Sequence, residues 1–331
     1  MSYSGTDFNG KTVLVTGGAG FIGSNLAFHF QEHYPRCKVI VFDSFRTEET
    51  FGNGNLKSFG HFKNLVGFKG LVVSGDLKKK EDLEKLKSYA IDYIFHEAAI
   101  SDTTVADQKI MIDTNVNAFK DLLDLAVDKN AIMVYASSAA TYGSSSTFTV
   151  GHERPDNPYG FSKLMMDNLA RDYDGKARVV GLRYFNVYGP REYFKHKTSS
   201  MVLQFALQLL KGENAKLFVR SDEIRRDFLF VEDVVQANLK ACDSAKNGVY
   251  NVGTGVARSF QDIVDILKKN LAIDRDDVYI PNPFERQYQY FTQADLGDTR
   301  KYLGYSPRFG LEEGIAAYLP EIKRLYDEEV R

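Results

Sequence analysis

The chain has 331 residues, 44% hydrophobic and 26% charged, with 42 basic against 44 acidic side chains for a net charge of −2. That length holds a large core and two domains, and near-neutrality gives no field favouring nucleic acid or a membrane surface. No apolar run approaches the roughly 18 residues that span a bilayer, the N-terminal MSYSGTDFNG lacks the apolar centre of a secretion signal, and the two cysteines, Cys37 and Cys242, have no metal-ligand spacing. The expectation is a cytoplasmic protein with two buried thiols and no metal.

Taken in order, short β-branched runs alternate with longer amphipathic segments. Thr12 to Thr16 reads as a buried strand and Phe21 to Tyr34 as a helix. Lys38 to Asp43, Leu71 to Asp76 and Ile91 to Ala99 read as strands two to four. Asn115 to Val127 carries Leu122, Leu123 and Ala126 at helical spacing. Ala131 to Ser138 is a fifth strand and Arg178 to Asn186 a sixth. This alternation specifies an α/β fold, a doubly wound parallel Rossmann sheet with helices on both faces. After Asn186 the rhythm changes. A helix (Ser199 to Leu210), a short strand (Lys216 to Val219) and a tyrosine-rich stretch near Tyr288 do not continue it, whereas Phe228 to Cys242 reads as one more sheet strand and helix. The second, smaller α/β domain is therefore interleaved: residues 1–185 and 228–258 against 186–227 and 259–331. The loop from Arg46 to Phe68 is long, polar and glycine-containing, a length that is usually functional or mobile.

The first strand runs into TGGAGFIG, where Gly17, Gly20 and Gly23 precede and open a helix. Glycines there let backbone approach a pyrophosphate, and the helix N-terminus near Phe21 and Ile22 offers free N–H groups to it. Asp43 ends the next strand twenty residues after Gly23, where a carboxylate binds adenosine ribose hydroxyls. Asp43 favours NAD by repelling a 2′-phosphate, whereas Arg46 either accepts that phosphate or is a solvated loop cation. Asp76 reads equally as an adenine contact and as a helix N-cap.

PYGFSK places Tyr159 and Lys163 four residues apart, on one face of a helix that Pro158 starts. An ammonium there lowers the tyrosine pKa, and the phenolate takes a proton from an alcohol while hydride leaves its carbon for nicotinamide. Ser137 and Ser138 end the fifth strand, at the carboxyl edge where open α/β sheets place ligands.

Together the glycine pattern, SSAATYG and YGFSK resemble the extended short-chain dehydrogenase/reductase superfamily, over nearly the whole chain. The resemblance implies a Ser138, Tyr159, Lys163 triad, with Lys163 also holding the nicotinamide ribose. HEAAISDTT, RYFNVYGPRE, RRDFLFVEDV, NVGTG and QYFTQADL are further similar, in order, to the ADP-L-glycero-D-manno-heptose 6-epimerase family. That similarity implies a tightly bound NADP, with NAD as the alternative. It implies oxidation of C6 of ADP-D-glycero-β-D-manno-heptose to a ketone and hydride return to the opposite face, for the inner core of lipopolysaccharide. It also implies a homo-oligomer, commonly a pentamer.

Inversion needs a second acid/base across the site. The family uses a lysine shortly after G-P-x-E. In GPREYFKHK the gap-free match is Lys195 and the shifted register Lys197. Phe194 stands where the family usually has histidine, and the Arg46 to Phe68 loop exceeds the usual length. On the cofactor side the resemblance also implies Ser44, Leu77, Glu97, Ala98, Ala99, Ser101, Asn115 and Val187. On the substrate side it implies Ser101, Ser138, Asn186, Lys195, Ser199, Gln204, Phe218, Arg220, Arg226 and Tyr288. Arg226 suits a diphosphate, or a salt bridge to Asp227 or Glu223; Tyr288 equally suits packing between domains. The rivals are another sugar-nucleotide epimerase, a dehydratase, for which AATYG lacks the acidic pair, and a non-catalytic dinucleotide-binding protein.

Overall fold

The computed structural model describes residues 3–282 and 289–330; Tyr288 lies outside the described residues. The first half runs β1 (Thr12–Thr16), α1 (Phe21–His33), β2 (Lys38–Asp43), β3 (Leu71–Ser74), α2 (Lys80–Lys87), β4 (Tyr93–His96), α3 (Gln108–Ile112), α4 (Ala118–Lys129), β5 (Ile132–Ser138), α5 (Pro158–Arg171) and β6 (Val179–Tyr184). Then follow β7 (Asn186–Tyr188), α6 (Met201–Leu210), β8 (Lys216–Phe218), β9 (Arg225–Phe230), α7 (Val231–Cys242), β10 (Gly248–Val252), β11 (Ala257–Ser259), α8 (Phe260–Leu271), β12 (Val278–Ile280), α9 (Gly297–Leu303) and α10 (Leu311–Leu325).

Seven parallel strands form the main sheet in the order β10-β6-β5-β4-β1-β2-β3. Successive side chains of a strand point to opposite faces, so each central strand feeds two cores. Val13 and Val15 join one cluster with Val39, Val41 and Phe95, under α1 and α7. Leu14 joins the other with Ile40, Ile94, Leu122 and Met133, under α4 and α5. The strand order reverses between β1 and β4, which leaves the carboxyl ends of β1, β4 and β5 open as a crevice, the ligand position of this architecture.

A third core packs α6, α8 and α10 against Phe228 and Phe230 of a separate sheet, β11-β9-β7. This corrects one expectation. Phe228 to Phe230 run in that smaller sheet, not the main one. Only the following helix, α7, covers the main sheet, and GVYNV (Gly248–Val252) is its seventh strand. Strand four ends at His96 and strand three at Ser74, earlier than expected, because Gly75 and the Glu97–Ser101 stretch turn towards the crevice. Asp113–Asn117 form a wide π turn between α3 and α4. Cys242 is buried and Cys37 half-buried, and both are free thiols. No helix among the described residues is long and apolar enough to cross a membrane.

Candidate active site

A cavity of about 530 Å³ lies at the crevice, and the glycine turn forms one wall. Gly17 has φ +66°, and a Cβ there would sit 2.7 Å from the Ala98 nitrogen. One at Gly23 would sit 2.3 Å from the Gly17 carbonyl. Only glycine allows this tight approach. Helix α1 begins at Gly20 with no side-chain cap and no acidic residue in its first turn. Its N–H groups and dipole face a cavity walled by Gly17, Gly20, Phe21, Ile22 and Gly23. The residues present fit the pyrophosphate of a dinucleotide.

At the β2 end Asp43 is buried, and both its oxygens accept backbone N–H groups: Ala19 to Oδ2 at 2.9 Å and Phe45 to Oδ1 at 2.7 Å. Its carboxylate thereby ties the glycine turn to the long loop. Burial raises its pKa in spite of those two bonds. Ser44, Asp76 and Leu77 line the same end, joined by three residues that sequence reasoning missed, Lys57, Ser58 and Phe59. Asp76 also caps the turn into α2, its Oδ1 accepting from Lys78 N at 3.0 Å.

The floor comes from β4, β5 and α5. Asn157 caps α5, accepting from Gly160 N at 2.8 Å, and Pro158 starts it. A Cβ on Gly160 would come 2.4 Å from the Ala140 carbonyl, so the glycine after Tyr159 lets α5 close onto the turn that follows Ser138. Tyr159, Ser138 and Lys163 thereby meet at the cavity. Tyr159 is hydrogen-bonded with Ser138, which lowers its pKa, but burial is the larger effect and the net shift is upward. Here the expectation of a phenol lowered by Lys163 needs correcting. Nζ of Lys163 is turned to the Ala136 carbonyl at 2.7 Å, 5.9 Å from the Tyr159 ring centre. Burial brings Lys163 down to about 8, against the opposing pull of Glu97 and Asp167.

Glu97, Ala98, Ala99 and Ser101 line the wall beyond β4. Glu97 Oε1 accepts from the Tyr184 hydroxyl at 2.9 Å, which itself accepts from Asn238 Nδ2 at 2.8 Å. Burial pushes this carboxyl up to about 7, with Tyr184 and Lys163 pulling it down.

Opposite, Asn186 and Val187 of β7 and Lys195 and Ser199 of the next loop line the cavity. Lys195 is half-buried, with Nζ 5.6 Å from the Phe21 ring centre. Burial lowers its pKa, while Glu192 and Asp102 act to raise it. Lys197 is exposed and is not on the wall. Glu192 holds this loop to the start of α6, accepting from Ser200 N at 2.6 Å and from Ser200 Oγ at 2.8 Å.

Six expected contacts are not on the wall. Arg46 Nη1 donates to His196 Nε2 at 2.7 Å. Asn115 is buried on the π turn, where it accepts from Ile100 N at 2.8 Å and donates to Ser162 Oγ at 3.0 Å; it shapes the wall from behind. Gln204 donates to the Ser199 carbonyl at 2.7 Å. Phe218 sits in the β8–β12 ladder, opposite Ile280. Arg220 pairs with Glu223. Arg226 is buried and donates to the Arg225 and Gln289 carbonyls, next to the undescribed residues 283–288.

The sequence model of the NAD dependent epimerase/dehydratase family matches residues 13–253. Among solved structures, the ADP-L-glycero-D-manno-heptose-6-epimerase of Helicobacter pylori is 48% identical, with a TM-score of 0.90 over 98% of this chain and 99% of that one. The UDP-glucose 4-epimerase of Thermotoga maritima is 28% identical, with a TM-score of 0.82 over 95% and 99%. A UDP-glucuronic acid 4-epimerase of Bacillus cereus, solved with a fluorinated substrate analogue and NAD, is 26% identical, with a TM-score of 0.80 over 95% and 100%.

Proposed function

The chain belongs to the NAD dependent epimerase/dehydratase family, and from that premise we propose that it inverts C6 of ADP-D-glycero-β-D-manno-heptose, giving the L-glycero epimer for the lipopolysaccharide inner core. The observation that carries this reading is that two side chains able to exchange protons, Tyr159 on α5 and Lys195 after β7, line one cavity. A reaction that adds hydride back to the face opposite the one it left needs both.

The bound dinucleotide supplies the hydride acceptor and donor for C6. The chain's own residues do the rest. The uncapped N-terminus of α1 and the glycine turn hold the pyrophosphate. Ser138 orients the C6 oxygen and Tyr159 exchanges its proton in one orientation of the side chain. Lys163 stays charged beneath them below about pH 8. Lys195 exchanges the proton in the other orientation, and its lowered pKa brings a lysine nearer to a usable base. Asn186 and Ser199 contact the sugar nucleotide from the same wall. In this division residues 1–185 and 228–258 carry the dinucleotide, and residues 186–227 and 259–331 the sugar nucleotide.

We assign NADP rather than NAD. Support comes from the β2 end, where the Asp43 carboxylate is consumed by two backbone amides and Ser44, Ser58 and Lys57, the last paired with Glu49, line the same cavity. The nucleotide released from denatured protein, identified by mass, reads this directly. Cytoplasmic residence and a homo-oligomer, pentameric by resemblance, belong to the same reading; light scattering measures the latter. The test of the two-base mechanism is Lys195→Met. It is expected to lower epimerisation by about 10²- to 10⁴-fold while leaving the bound nucleotide in place. Epimerisation at the wild-type rate would remove Lys195 from the reaction.

A further inference from the structure

The long loop after β2 and Phe194, the residue before Lys195, are far apart in the chain. In the structure they meet. His61, from the loop, lies flat on the Phe194 ring, with centres 3.8 Å apart and planes 6° from parallel. Both side chains are buried. Two further contacts join the same two segments. Arg46 Nη1 donates to His196 Nε2 at 2.7 Å, and Arg191 Nη1 donates to the Asn64 carbonyl at 2.6 Å.

The segment so gripped does not hold its shape by local preference. Arg191 and His196 are non-glycine residues at positive φ, +74° and +50°, conformations that L side chains rarely adopt and that persist where surroundings over-determine them. Glu192 fixes its far end to α6. Lys195 sits between these anchors, one residue from Phe194 and one from His196. The loop also grips the stretch beyond β4. Asn53 and Asn55 Nδ2 donate to Asp102 Oδ2 at 3.0 and 2.7 Å, and Asp102 lines the cavity.

We propose that the loop between β2 and β3 is the positioning element for Lys195, with His61 and Arg46 as positioning residues that hold the ammonium-bearing segment against the cavity. This rests on Lys195 being the second acid/base. A free lysine chain loses rotamer freedom on being held, and a misplacement of about 1 Å in a proton-transfer group costs on the order of 10²-fold in rate. The stack and the guanidinium–imidazole bond supply that restraint from outside the segment.

The experiment compares His61→Ala, His61→Phe, Arg46→Leu and Lys195→Met with the wild type. His61→Ala is expected to lower kcat for epimerisation by about tenfold or more with KM changed by less than about twofold, because His61 and Phe194 hold the segment of a reacting group and are themselves not on the cavity wall. His61→Phe keeps a ring on Phe194 and is expected to retain kcat. Arg46→Leu lowers kcat in the same sense and serves as the test if His61→Ala does not fold. The pH profile gives a second readout. Loosening the segment exposes Lys195 to water and moves its pKa up towards the ordinary lysine value, away from the set point made by burial, which lowers it, and by Glu192 and Asp102, which raise it. The limb of kcat that requires neutral lysine therefore shifts to higher pH in His61→Ala. Wild-type kcat and an unmoved limb in both His61→Ala and Arg46→Leu overturn the positioning role. Equal losses in His61→Phe and His61→Ala overturn it too. If Lys195→Met itself epimerises normally, it is the two-base reading that fails.

Discussion

At the scale of single residues, the site places ionisable groups where burial and not charge pairing dominates. Glu97 shows the consequence most cleanly. Its carboxyl is raised to about 7 by burial, so the folded protein holds a proton that the unfolded chain releases near the ordinary value of 4.5. Between those two values the folded state binds more protons, so this group's contribution to stability falls as pH rises and is lost through about pH 7. The loss is on the order of 3 kcal/mol. Glu97→Gln cannot titrate. Relative to wild type it is expected to gain stability by that order as pH goes from 5 to 8, as chemical denaturation at both pH values measures; a difference independent of pH would contradict the assignment. Lys163 runs the other way. With its pKa lowered to about 8, the protein favours the neutral amine at high pH, and the chemistry that relies on its charge is expected to decline above about pH 8.

Elements position these residues through local rules that sequence carries well. The strand–glycine–helix unit, the Asn157-Pro158 start of α5 and the Tyr159–Lys163 spacing are each set within a few residues, and each was legible. Asn157→Ala removes the one side-chain cap of α5 and is expected to cost about 1 kcal/mol with a small loss of activity, as Tyr159 frays with the first turn. Deeper in, Asp167 of α5 binds Arg183 of β6 through Nε at 3.0 Å and Nη2 at 2.7 Å, and accepts from Tyr135 of β5 at 2.9 Å. Arg183 and Asp167 are fully buried. Asp167→Ala leaves that guanidinium with one fewer carboxylate in the core, and is expected to cost about 3–5 kcal/mol in a denaturant melt. A cost below 1 kcal/mol would mean that Glu153, the other carboxylate on Arg183, suffices alone. What sequence did not carry was non-local pairing. RRDFLF has strand composition in any sheet, and its place beside β7 and β11 instead of β6 depends on strands that are three residues long. The wall residues Phe51, Lys57, Ser58 and Phe59 come from a loop with no periodicity to read. Arg220, Arg226 and Gln204 were assigned through resemblance, with no local chemistry that aims a side chain, and the structure turns each of them to protein partners.

For the whole molecule, Tyr159 and Lys195, the two groups proposed to exchange protons, line one cavity, and the loop between β2 and β3 reaches both Phe194 beside Lys195 and Asp102 of the lining. Such an arrangement returns the dinucleotide to its starting state in every turnover, so catalysis needs no external oxidant. The direct measurement is wild-type protein incubated with ADP-D-glycero-β-D-manno-heptose and no added cofactor, with C6 configuration followed by NMR and reduced nicotinamide by absorbance. The account predicts a mixture of both C6 epimers with no accumulating reduced nicotinamide. No conversion, even with NADP and NAD supplied, would contradict it.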